Sequence, residues 1–499
     1  MITNICWVPK GAAKSVPDVA EPPTREELED VVKNSTLEDV EEIVKGGAFD
    51  RMQGSESEDD DTDMDVDAAK QSDEAAQALA VAAALGKNYE NAESATNSLD
   101  IDDAMKELNM DDYDKEDNGI VICNSDTYYP SNDMDPYLID KNAIDSEEEE
   151  DITIKPMDVV VIGARSEEFL SLLEACIFLV NIIEDTKDGS LNLYNHHDIV
   201  LPAFPLCTAW LDCPLKNGEK GNFIAVGSME PAIEIWDLDI IDEVEPCLVL
   251  GGVAEKKKKG KKKSVKYKKD SHRDSVLGLA WNKQFRNLLA SASADKSVKI
   301  WDVATGKCND TMEHHTDKVQ AVAWNDFAPQ ILISGSFDHS IVMKDARIPS
   351  RDGFKWSVAV DVESLTWDPH MEHSFVVSLE NGTVQGFDIR AATPDSGSSS
   401  KPSFTLHAHD KAVTSVSYNR KAPNLLATGS TDKMVKLWDL SNNQPSCVVT
   451  KELRAGAVFS VSFCEDRPFL LAVGGSKGKL RIWDTFSEDA VSRRYAKNL

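Results

Sequence analysis

Residues 272–302, HRDSVLGLAWNKQFRNLLASASADKSVKIWD, decide the fold. They contain three short strand-like runs, VLGLAW, LLASAS and VKIWD, separated by residues that favour turns. Trp281 ends the first run, and Trp301 lies twenty residues later, directly before an Asp. The same spacing recurs in four later copies, at Trp324 and Lys344, Trp367 and Phe387, Tyr418 and Trp438, and Phe463 and Trp483. The chain is therefore built on an internal repeat.

The repeat length indicates the architecture. Copies of 43–51 residues, each with four short strands, are typical of the blades of a β-propeller. An earlier and longer copy runs from Trp210 to Trp236. Six blades are thus marked by the second position of each copy, at Trp236, Trp301, Lys344, Phe387, Trp438 and Trp483.

A seventh blade is predicted at the start of the chain. Residues 1–9 match the first strand of the repeat, with Trp7 in the place of Trp281, and residues 158–163, 172–180 and 191–201 supply three more strand-like runs. We therefore expect an all-β, seven-bladed propeller whose first blade is interrupted by a long insertion. Alternatively, residues 1–9 form the outer strand of the last blade; either pairing would close the ring.

Charge divides the chain into regions. Of the 499 residues, 53 are basic and 87 acidic, giving a net charge of −34, and most of the excess acid lies before residue 156. Dense acidic blocks cannot pack, so an acidic, largely disordered insertion with short helices is predicted. The predicted boundaries are an N-terminal strand over 1–16, the acidic region over 17–155, the propeller over 156–489 and a C-terminal tail over 490–499.

Three serines in the acidic region are candidate phosphorylation sites. Ser55, Ser57 and Ser146 each have an acidic residue three positions later, within longer acidic runs. Acid-directed kinases of the casein-kinase type prefer this arrangement, and the added phosphates would strengthen an existing negative field.

One segment has the opposite charge. The loop 255–269, between the second and third blades, contains ten lysines and is predicted to be solvated and without regular structure. It is a candidate nuclear import signal or RNA-contacting tail. The ten candidate residues are Lys256, Lys257, Lys258, Lys259, Lys261, Lys262, Lys263, Lys266, Lys268 and Lys269.

Motifs for catalysis, nucleotide binding and metal binding are missing from the sequence. It contains no GxxxxGK[ST], HExxH, GxSxG or CxxC pattern, and its longest apolar stretch is too short to cross a bilayer. We therefore expect a non-enzymatic protein without cofactor, metal or membrane anchor, which presents surfaces to protein partners.

The Trp-Asp dipeptides and the blade spacing resemble the WD-repeat family. In that family a buried chain of His, Ser or Thr, Asp and Trp links the turns and strands of a blade. The resemblance implies two complete chains here, formed by His272, Ser291, Asp295 and Trp301 and by His409, Thr428, Asp432 and Trp438. In the blade that contains His315, Lys344 replaces the Trp. The fixed spacing favours a structural role over a catalytic one for these groups.

Five features of the chain point to a narrower group within that family: ITNICWVPKGAAKSVP at residues 2–17, the acidic insertion, HHDIVLPAFPLC at residues 196–207, the lysine-rich loop and the periodic aromatic residues. Together they resemble the periodic tryptophan protein one homologues. It implies a nuclear and nucleolar factor for ribosome biogenesis, linked to ribosomal RNA transcription, RNA processing and pre-ribosome assembly, with chromatin and histone association. The implied partners are assembly factors, histones or other basic proteins, with indirect RNA association, around a monomer within larger complexes.

Two other functions stay open. A substrate receptor of a cullin-type ubiquitin ligase would use an Asp-x-Arg step, which Asp345-Ala346-Arg347 and Asp388-Ile389-Arg390 approach without the preceding Trp. A reader of methylated lysine would need an exposed aromatic cage. Trp356, the one Trp outside the repeat register, is a candidate for it.

Overall fold

The computed structural model describes residues 1–20, 152–169, 173–185, 191–215, 220–259, 262–348, 353–391 and 401–498. Most of the predicted acidic region, with its predicted helices and with Ser55, Ser57 and Ser146, lies outside these residues. The described chain forms seven antiparallel sheets arranged as the blades of a propeller, which confirms the predicted fold class.

The strand order in each blade runs from the innermost strand outward. Blade 1 contains β1 (Ile2–Val8), β3 (Val159–Phe169), β4 (Leu173–Asp185) and β5 (Leu191–Leu201). Blade 2 contains β6 (Pro205–Leu211), β7 (Phe223–Ser228), β8 (Ala232–Asp237) and β10 (Leu248–Gly251). Blade 3 contains β13 (Val276–Trp281), β14 (Leu288–Ser293), β15 (Val298–Asp302) and β16 (Lys307–Met312).

The remaining blades follow the same order. Blade 4 contains β17 (Val319–Trp324), β18 (Ile331–Ser336), β19 (Ser340–Asp345) and β20 (Phe354–Ser357). Blade 5 contains β21 (Val362–Trp367), β22 (Ser374–Leu379), β23 (Thr383–Asp388) and β24 (Phe404–His407). Blade 6 contains β25 (Val413–Tyr418), β26 (Leu425–Ser430), β27 (Met434–Asp439) and β28 (Ser446–Glu452). Among the described residues, blade 7 has three strands, β29 (Val458–Phe463), β30 (Leu470–Gly475) and β31 (Arg481–Asp484).

The first strand of the chain closes the ring. β1 pairs with β3 in register from Ile5↔Gly163 to Val8↔Val160, so it is the innermost strand of blade 1. It also contacts β6 of blade 2 and β29 of blade 7. The Trp7 indole N–H donates to the carbonyl of Ser462 in β29 over 3.0 Å. Of the two placements that the sequence left open, the structure has the one in the first blade.

Two short elements lie outside the blades. β2 (Asp18–Val19) pairs in parallel with β9 (Ile240–Ile241), which ties the segment after β1 to blade 2. β11 (Val253–Lys259) and β12 (Lys262–Tyr267) form an antiparallel hairpin from the lysine-rich segment. The expectation of a loop without regular structure was therefore wrong for its backbone. Strand pairing uses backbone groups, and successive side chains of a strand alternate between its faces, so a run of lysines is compatible with a hairpin.

The residues predicted as a C-terminal tail form a helix, α1 (Asp489–Tyr495), followed by a 3₁₀ turn over Ala496–Asn498. Val491 and Tyr495 are one helical turn apart, and both are buried against apolar side chains of blades 6 and 7. Further 3₁₀ turns lie at Ile389–Ala391, Ser441–Asn443 and Thr485–Ser487.

Apolar side chains fill the spaces between neighbouring blades. Trp356 on β20 belongs to the cluster between blades 4 and 5, where it is only 1% exposed and its ring lies 5.2 Å from that of Phe375. It also contacts Phe387, which replaces Trp at the repeat position of blade 5. The suggestion that Trp356 forms an exposed aromatic cage was therefore wrong.

Candidate interaction surface

Seven aromatic residues, one from each blade, lie near the end of the innermost strands. They are Trp7, Trp210, Trp281, Trp324, Trp367, Tyr418 and Phe463, and they line two neighbouring recesses at the same end of the central channel. We call this end of the propeller the aromatic face. The sequence period fixes their equivalent positions, but their hydrogen bonds and exposure differ.

Three of these aromatic residues join neighbouring blades. The indole N–H of Trp324 donates to Ala280 O over 3.0 Å, and that of Trp367 donates to Ala323 O over 3.3 Å. The bond from Trp7 to Ser462 O is equivalent to these two. In each case the acceptor directly precedes the aromatic residue of the preceding blade, so the repeat also specifies a bond between blades.

Trp210 and Trp281 depart from this pattern. Trp210 donates to Asn222 Oδ1 and Trp281 to Arg286 O, both over 2.8 Å and both within their own blades. Their rings meet edge to face, with centroids 5.4 Å apart. The interblade bond made by the other tryptophans is thus replaced between blades 2 and 3 by an aromatic contact.

This departure coincides with a cleft of about 390 Å³ on the aromatic face. Trp7, Trp210 and Trp281 line it and are half-buried, and its remaining apolar lining includes Ile5, Val8, Pro9 and Phe463. The equivalent residues of blades 4 to 7 are at most 8% exposed. Partly exposed aromatic side chains in a concave site are typical of peptide and side-chain binding.

A chain of ion pairs crosses the aromatic face beside the cleft. Glu465 of blade 7 accepts from Lys283 of blade 3 over 2.5 Å and from Arg420 of blade 6 over 2.9 Å. Arg420 also contacts Asp326 of blade 4 over 3.0 Å. Burial favours the neutral acid, but the two cations outweigh it and lower the pKa of Glu465.

The structure brings together both predicted polar chains. In blade 3 the Trp301 indole donates to Ser291 Oγ over 2.9 Å, and Ser291 Oγ lies 2.7 Å from His272 Nε2. His272 Nδ1 lies 2.9 Å from Asp295 Oδ2. With the proton on Nδ1, every step has one donor and one acceptor, which leaves no buried polar group of this chain unpaired.

Blade 6 repeats this arrangement. Trp438 donates to Thr428 Oγ1 over 3.0 Å, and His409 joins Thr428 Oγ1 to Asp432 Oδ2 with 2.8 Å contacts on both sides. Burial lowers the pKa of His272 and of His409, so both imidazoles are neutral at neutral pH. Asp295 and Asp432 have lowered pKa values, because their hydrogen bonds outweigh the effect of burial.

The aspartates also hold the turns of their blades. Asp295 Oδ1 accepts from the backbone N–H of Ser297, and Oδ2 accepts from that of Arg273, each over 3.0 Å. Lys296, between Asp295 and Ser297, has a φ of 73°, which an aspartate-capped turn accommodates. The equivalent residues of blades 4 and 6, His339 and Lys433, also have positive φ. The polar chains therefore connect the turns to the strands of their blades.

Blade 4 completes its chain with a different donor. His315 contacts Ser334 Oγ over 2.8 Å and Asp338 Oδ2 over 3.1 Å, as its counterparts do. Lys344 stands at the Trp position, and His314 Nε2 lies 2.9 Å from Ser334 Oγ. His314 therefore takes the place of the indole. Its Nδ1 is buried without a hydrogen-bond partner, and burial, together with His315, lowers its pKa to about 3.

The remaining predicted site residues are the lysines of the hairpin and the arginines of the two Asp-x-Arg steps, whereas Ser55, Ser57 and Ser146 lie outside the described residues. Lys256 to Lys259 lie on β11, and Lys262, Lys263 and Lys266 lie on β12. Lys268 and Lys269 follow and are exposed, as is Lys266, whereas Lys261 is not described. Arg347 and Arg390 each pair with the Asp two residues earlier, over 2.6 Å. Arg347 lines a recess together with Trp324 of the aromatic face.

Metal sites and membrane spans are both missing from the described residues. These residues contain no group of three or more His, Cys, Asp or Glu side chains that could hold a metal ion. Nor do they contain a helix long and apolar enough to cross a membrane.

Comparisons with known proteins agree with the repeat architecture, which defines a WD-repeat propeller. The family model "WD domain, G-beta repeat" matches residues 400–439 and 446–484, and the model "Anaphase-promoting complex subunit 4 WD40 domain" matches residues 257–327. An uncharacterized WD repeat-containing protein of Schizosaccharomyces pombe is 42% identical over 371 residues, which cover 72% of this chain and 69% of that protein.

Two further relatives belong to a named family of WD-repeat proteins. Periodic tryptophan protein 1 of Saccharomyces cerevisiae is 31% identical over 411 residues, with 72% of this chain and 70% of the yeast protein covered. The periodic tryptophan protein 1 homolog of Drosophila melanogaster is 29% identical over 362 residues, with 71% and 72% covered. The chain belongs to the periodic tryptophan protein 1 family of WD-repeat proteins.

Proposed function

We propose that the protein is a non-enzymatic scaffold of ribosome biogenesis in the nucleus and nucleolus, acting in ribosomal RNA transcription and processing and in pre-ribosome assembly. The observation that carries this proposal is membership of the periodic tryptophan protein 1 family, together with the roles that the family resemblance implies. In the same proposal the protein associates with chromatin through histones and other basic proteins.

The central channel supports a role without catalysis. Its volume is about 410 Å³, and its described lining is mostly Ser, Thr, Asn, Gln and aliphatic side chains. Glu363 is the one acidic residue in that lining, and burial, together with Glu380 and Asp361, raises its pKa. The lining also contains the thiol of Cys207, but burial raises the pKa of that thiol, which keeps it protonated. The lining therefore provides neither an activated nucleophile nor an acid–base pair.

The aromatic face supports binding of proteins. Its cleft offers apolar anchoring sites between Trp7, Trp210 and Trp281, and the ion pairs around Glu465 surround it with charge. Aromatic anchors with a polar surround are typical of protein interfaces. The proposed partners are pre-ribosomal assembly factors, with RNA associated indirectly through them.

Gradient sedimentation of nuclear extract tests the proposal. The protein should co-migrate with particles that contain precursors of ribosomal RNA, and RNase treatment should collapse this migration. A variant with Trp210→Ala and Trp281→Ala should leave the particles if the cleft provides the contact. Phe285→Ala, which alters an exposed ring, is the matched control. Migration only with chromatin, without precursor RNA, would refute the ribosomal role and favour the histone-binding one.

We propose that the lysine-rich hairpin delivers the protein to the nucleus. It forms a separate two-stranded sheet, so its removal leaves the strand pairing within the blades unchanged. Deleting residues 256–269, or changing their lysines to Gln, should move a fluorescent fusion to the cytoplasm. Changing the same lysines to Arg should preserve nuclear location, because charge is retained. Nuclear fluorescence of the deletion variant would exclude this role.

The cullin-receptor alternative receives less support from the geometry. Arg347 and Arg390 are the residues that would contact an adaptor. The guanidinium group of each already forms at least two hydrogen bonds with the Asp two residues earlier, at the end of the preceding strand. Arg390→Ala should therefore leave the set of co-purifying proteins unchanged. Loss of a cullin adaptor from that set would reverse this preference.

A further inference from the structure

Blade 7 has an open outer edge among the described residues. Blades 1 to 6 each contain four strands, whereas the sheet of blade 7 ends at β31. β31 pairs with β30 from Leu470↔Asp484 to Val473↔Arg481, and no described strand pairs with its other side. A strand edge of this kind presents backbone N–H and C=O groups in the pattern that an added strand requires.

The C-terminal helix does not take the place of the fourth strand. Glu488, just before α1, accepts from the Trp483 indole over 3.2 Å and from Lys451 of β28 over 2.6 Å. Arg494 of α1 pairs with Asp439 of blade 6 over 2.9 Å. The helix thus turns back towards blade 6, where it contacts β28.

Arg481 indicates what the missing strand must supply. The equivalent residues of blades 3, 5 and 6 are Lys299, Gln385 and Lys436, and each faces a threonine on the fourth strand, namely Thr311, Thr405 and Thr450. In blade 3 this pair forms a hydrogen bond, from Lys299 Nζ to Thr311 Oγ1 over 2.9 Å. In blade 7 the Nε of Arg481 is buried and has no hydrogen-bond partner.

The charge at this edge favours an acidic partner. Exposed Lys477 and Lys479 precede Arg481 in the turn that leads into β31, whereas Asp484 and Glu488 are the acidic residues at the other end of the strand. The edge is therefore basic at the end that contains Arg481, in a chain whose net charge is −34. A carboxylate on an incoming strand would satisfy Arg481 with a charge-assisted hydrogen bond.

We infer that the edge of β31 binds an acidic, extended segment of a partner protein, which adds the fourth strand to blade 7. Backbone pairing would hold the segment, and a carboxylate opposite Arg481 would fix its register. This site is separate from the cleft on the aromatic face, and it does not depend on the ribosomal role.

Fluorescence anisotropy with the full-length protein tests this inference. The probe is a labelled peptide of about ten alternating Val and Thr residues with two glutamates, within the usual length of a strand. It should bind saturably, whereas a version with a central proline should bind at least about tenfold more weakly, or roughly 1.4 kcal/mol, because it lacks an N–H.

Two variants locate the binding. Arg481→Gln should weaken the acidic peptide about tenfold, whereas Arg493→Gln, which removes the same charge from an exposed site on α1, should not. Equal unfolding midpoints would show that both variants fold. Equal affinity for the proline peptide, no saturable binding, or equal loss in both variants would overturn the inference.

Hydrogen exchange distinguishes a partner from the chain itself. In the free full-length protein the β31 amides should exchange faster than those of β30, and the acidic peptide should slow them. If the β31 amides are already as protected as those of β30, another part of the chain fills the edge, and the inference of a partner strand is wrong.

Discussion

Blades 3 and 4 are neighbours built on the same repeat, yet they complete their buried polar chains differently. In blade 3 the donor to Ser291 is Trp301, which lies on the third strand and fills the space between blades. In blade 4 the donor to Ser334 is His314, which lies in the turn before the innermost strand. The repeat therefore requires a donor at the hydroxyl group, but that donor can come from a different element.

The two blades also differ in how they supply volume and a hydrogen-bond donor, which Trp301 provides together in blade 3. Trp301 supplies both volume and an N–H group, and it is 2% exposed. In blade 4, by contrast, His314 supplies the donor, while half-buried Lys344 takes the third-strand position. Blade 4 thus acquires a titratable group at a place where blade 3 has none.

The largest expected effect comes from removing the volume. Trp301→Ala should lower the free energy of unfolding by about 3–5 kcal/mol, because it leaves a cavity between blades 2 and 3 and removes a donor. Lys344→Ala, at the equivalent position of blade 4, should cost less than about 1 kcal/mol. Urea unfolding of both variants measures the contrast; similar losses would contradict the division of roles between Lys344 and His314.

An intermediate effect is expected from acid. With a pKa of about 3 in the fold, His314 stays neutral while the unfolded chain takes up a proton near pH 6.5. Stability present at neutral pH is therefore lost as pH falls from about 6.5 towards 3. His314→Leu should reduce this loss by about 1 kcal/mol per pH unit, in urea unfolding at pH 6, 5 and 4. His339→Asn, a change of an exposed histidine in the same blade, is the control; an unaltered slope in His314→Leu would show that His314 is not the group responsible.

The smallest loss of stability is expected when only the indole N–H donor is removed. Trp301→Phe keeps most of the ring but removes the N–H to Ser291, and should cost about 1 kcal/mol. Trp281→Phe should cost less, because its acceptor, Arg286 O, lies near solvent, where water can replace the indole. Thermal or urea unfolding of the pair compares them. A larger loss for Trp281→Phe would show that the edge-to-face contact with Trp210 outweighs the buried hydrogen bond.

Periodicity predicted most of the fold because each blade repeats the same packing problem. The spacing from Trp281 to Trp301 places an innermost and a third strand, and its recurrence defines the ring. The histidine spacing likewise located both polar chains, since a buried hydroxyl, imidazole and carboxylate must meet at fixed points of the blade.

Exceptions to the repeat could not be predicted in the same way. His314 adjoins His315 but does not belong to the repeat register. The only sign in the sequence that another donor is needed was the replacement of Trp by Lys344 at the repeat position. The partners of the Trp210 and Trp281 indoles depend on the local course of the following loop. Trp356 was misjudged because it fills the core beside Phe387, a smaller residue than the usual Trp.

The bond from Trp7 to Ser462 has a consequence for the order of events during synthesis. It joins residues 455 positions apart, so β1 leaves the ribosome long before the blade that it must meet. At about 5–20 residues per second, this interval lasts roughly 25–90 seconds. Ile2 and Ile5 are buried between blades 1 and 7 in the folded protein. During this interval they lack their contacts with blade 7. A nascent chain stalled before residue 458 therefore carries an incomplete ring, with an apolar edge that chaperones would recognise.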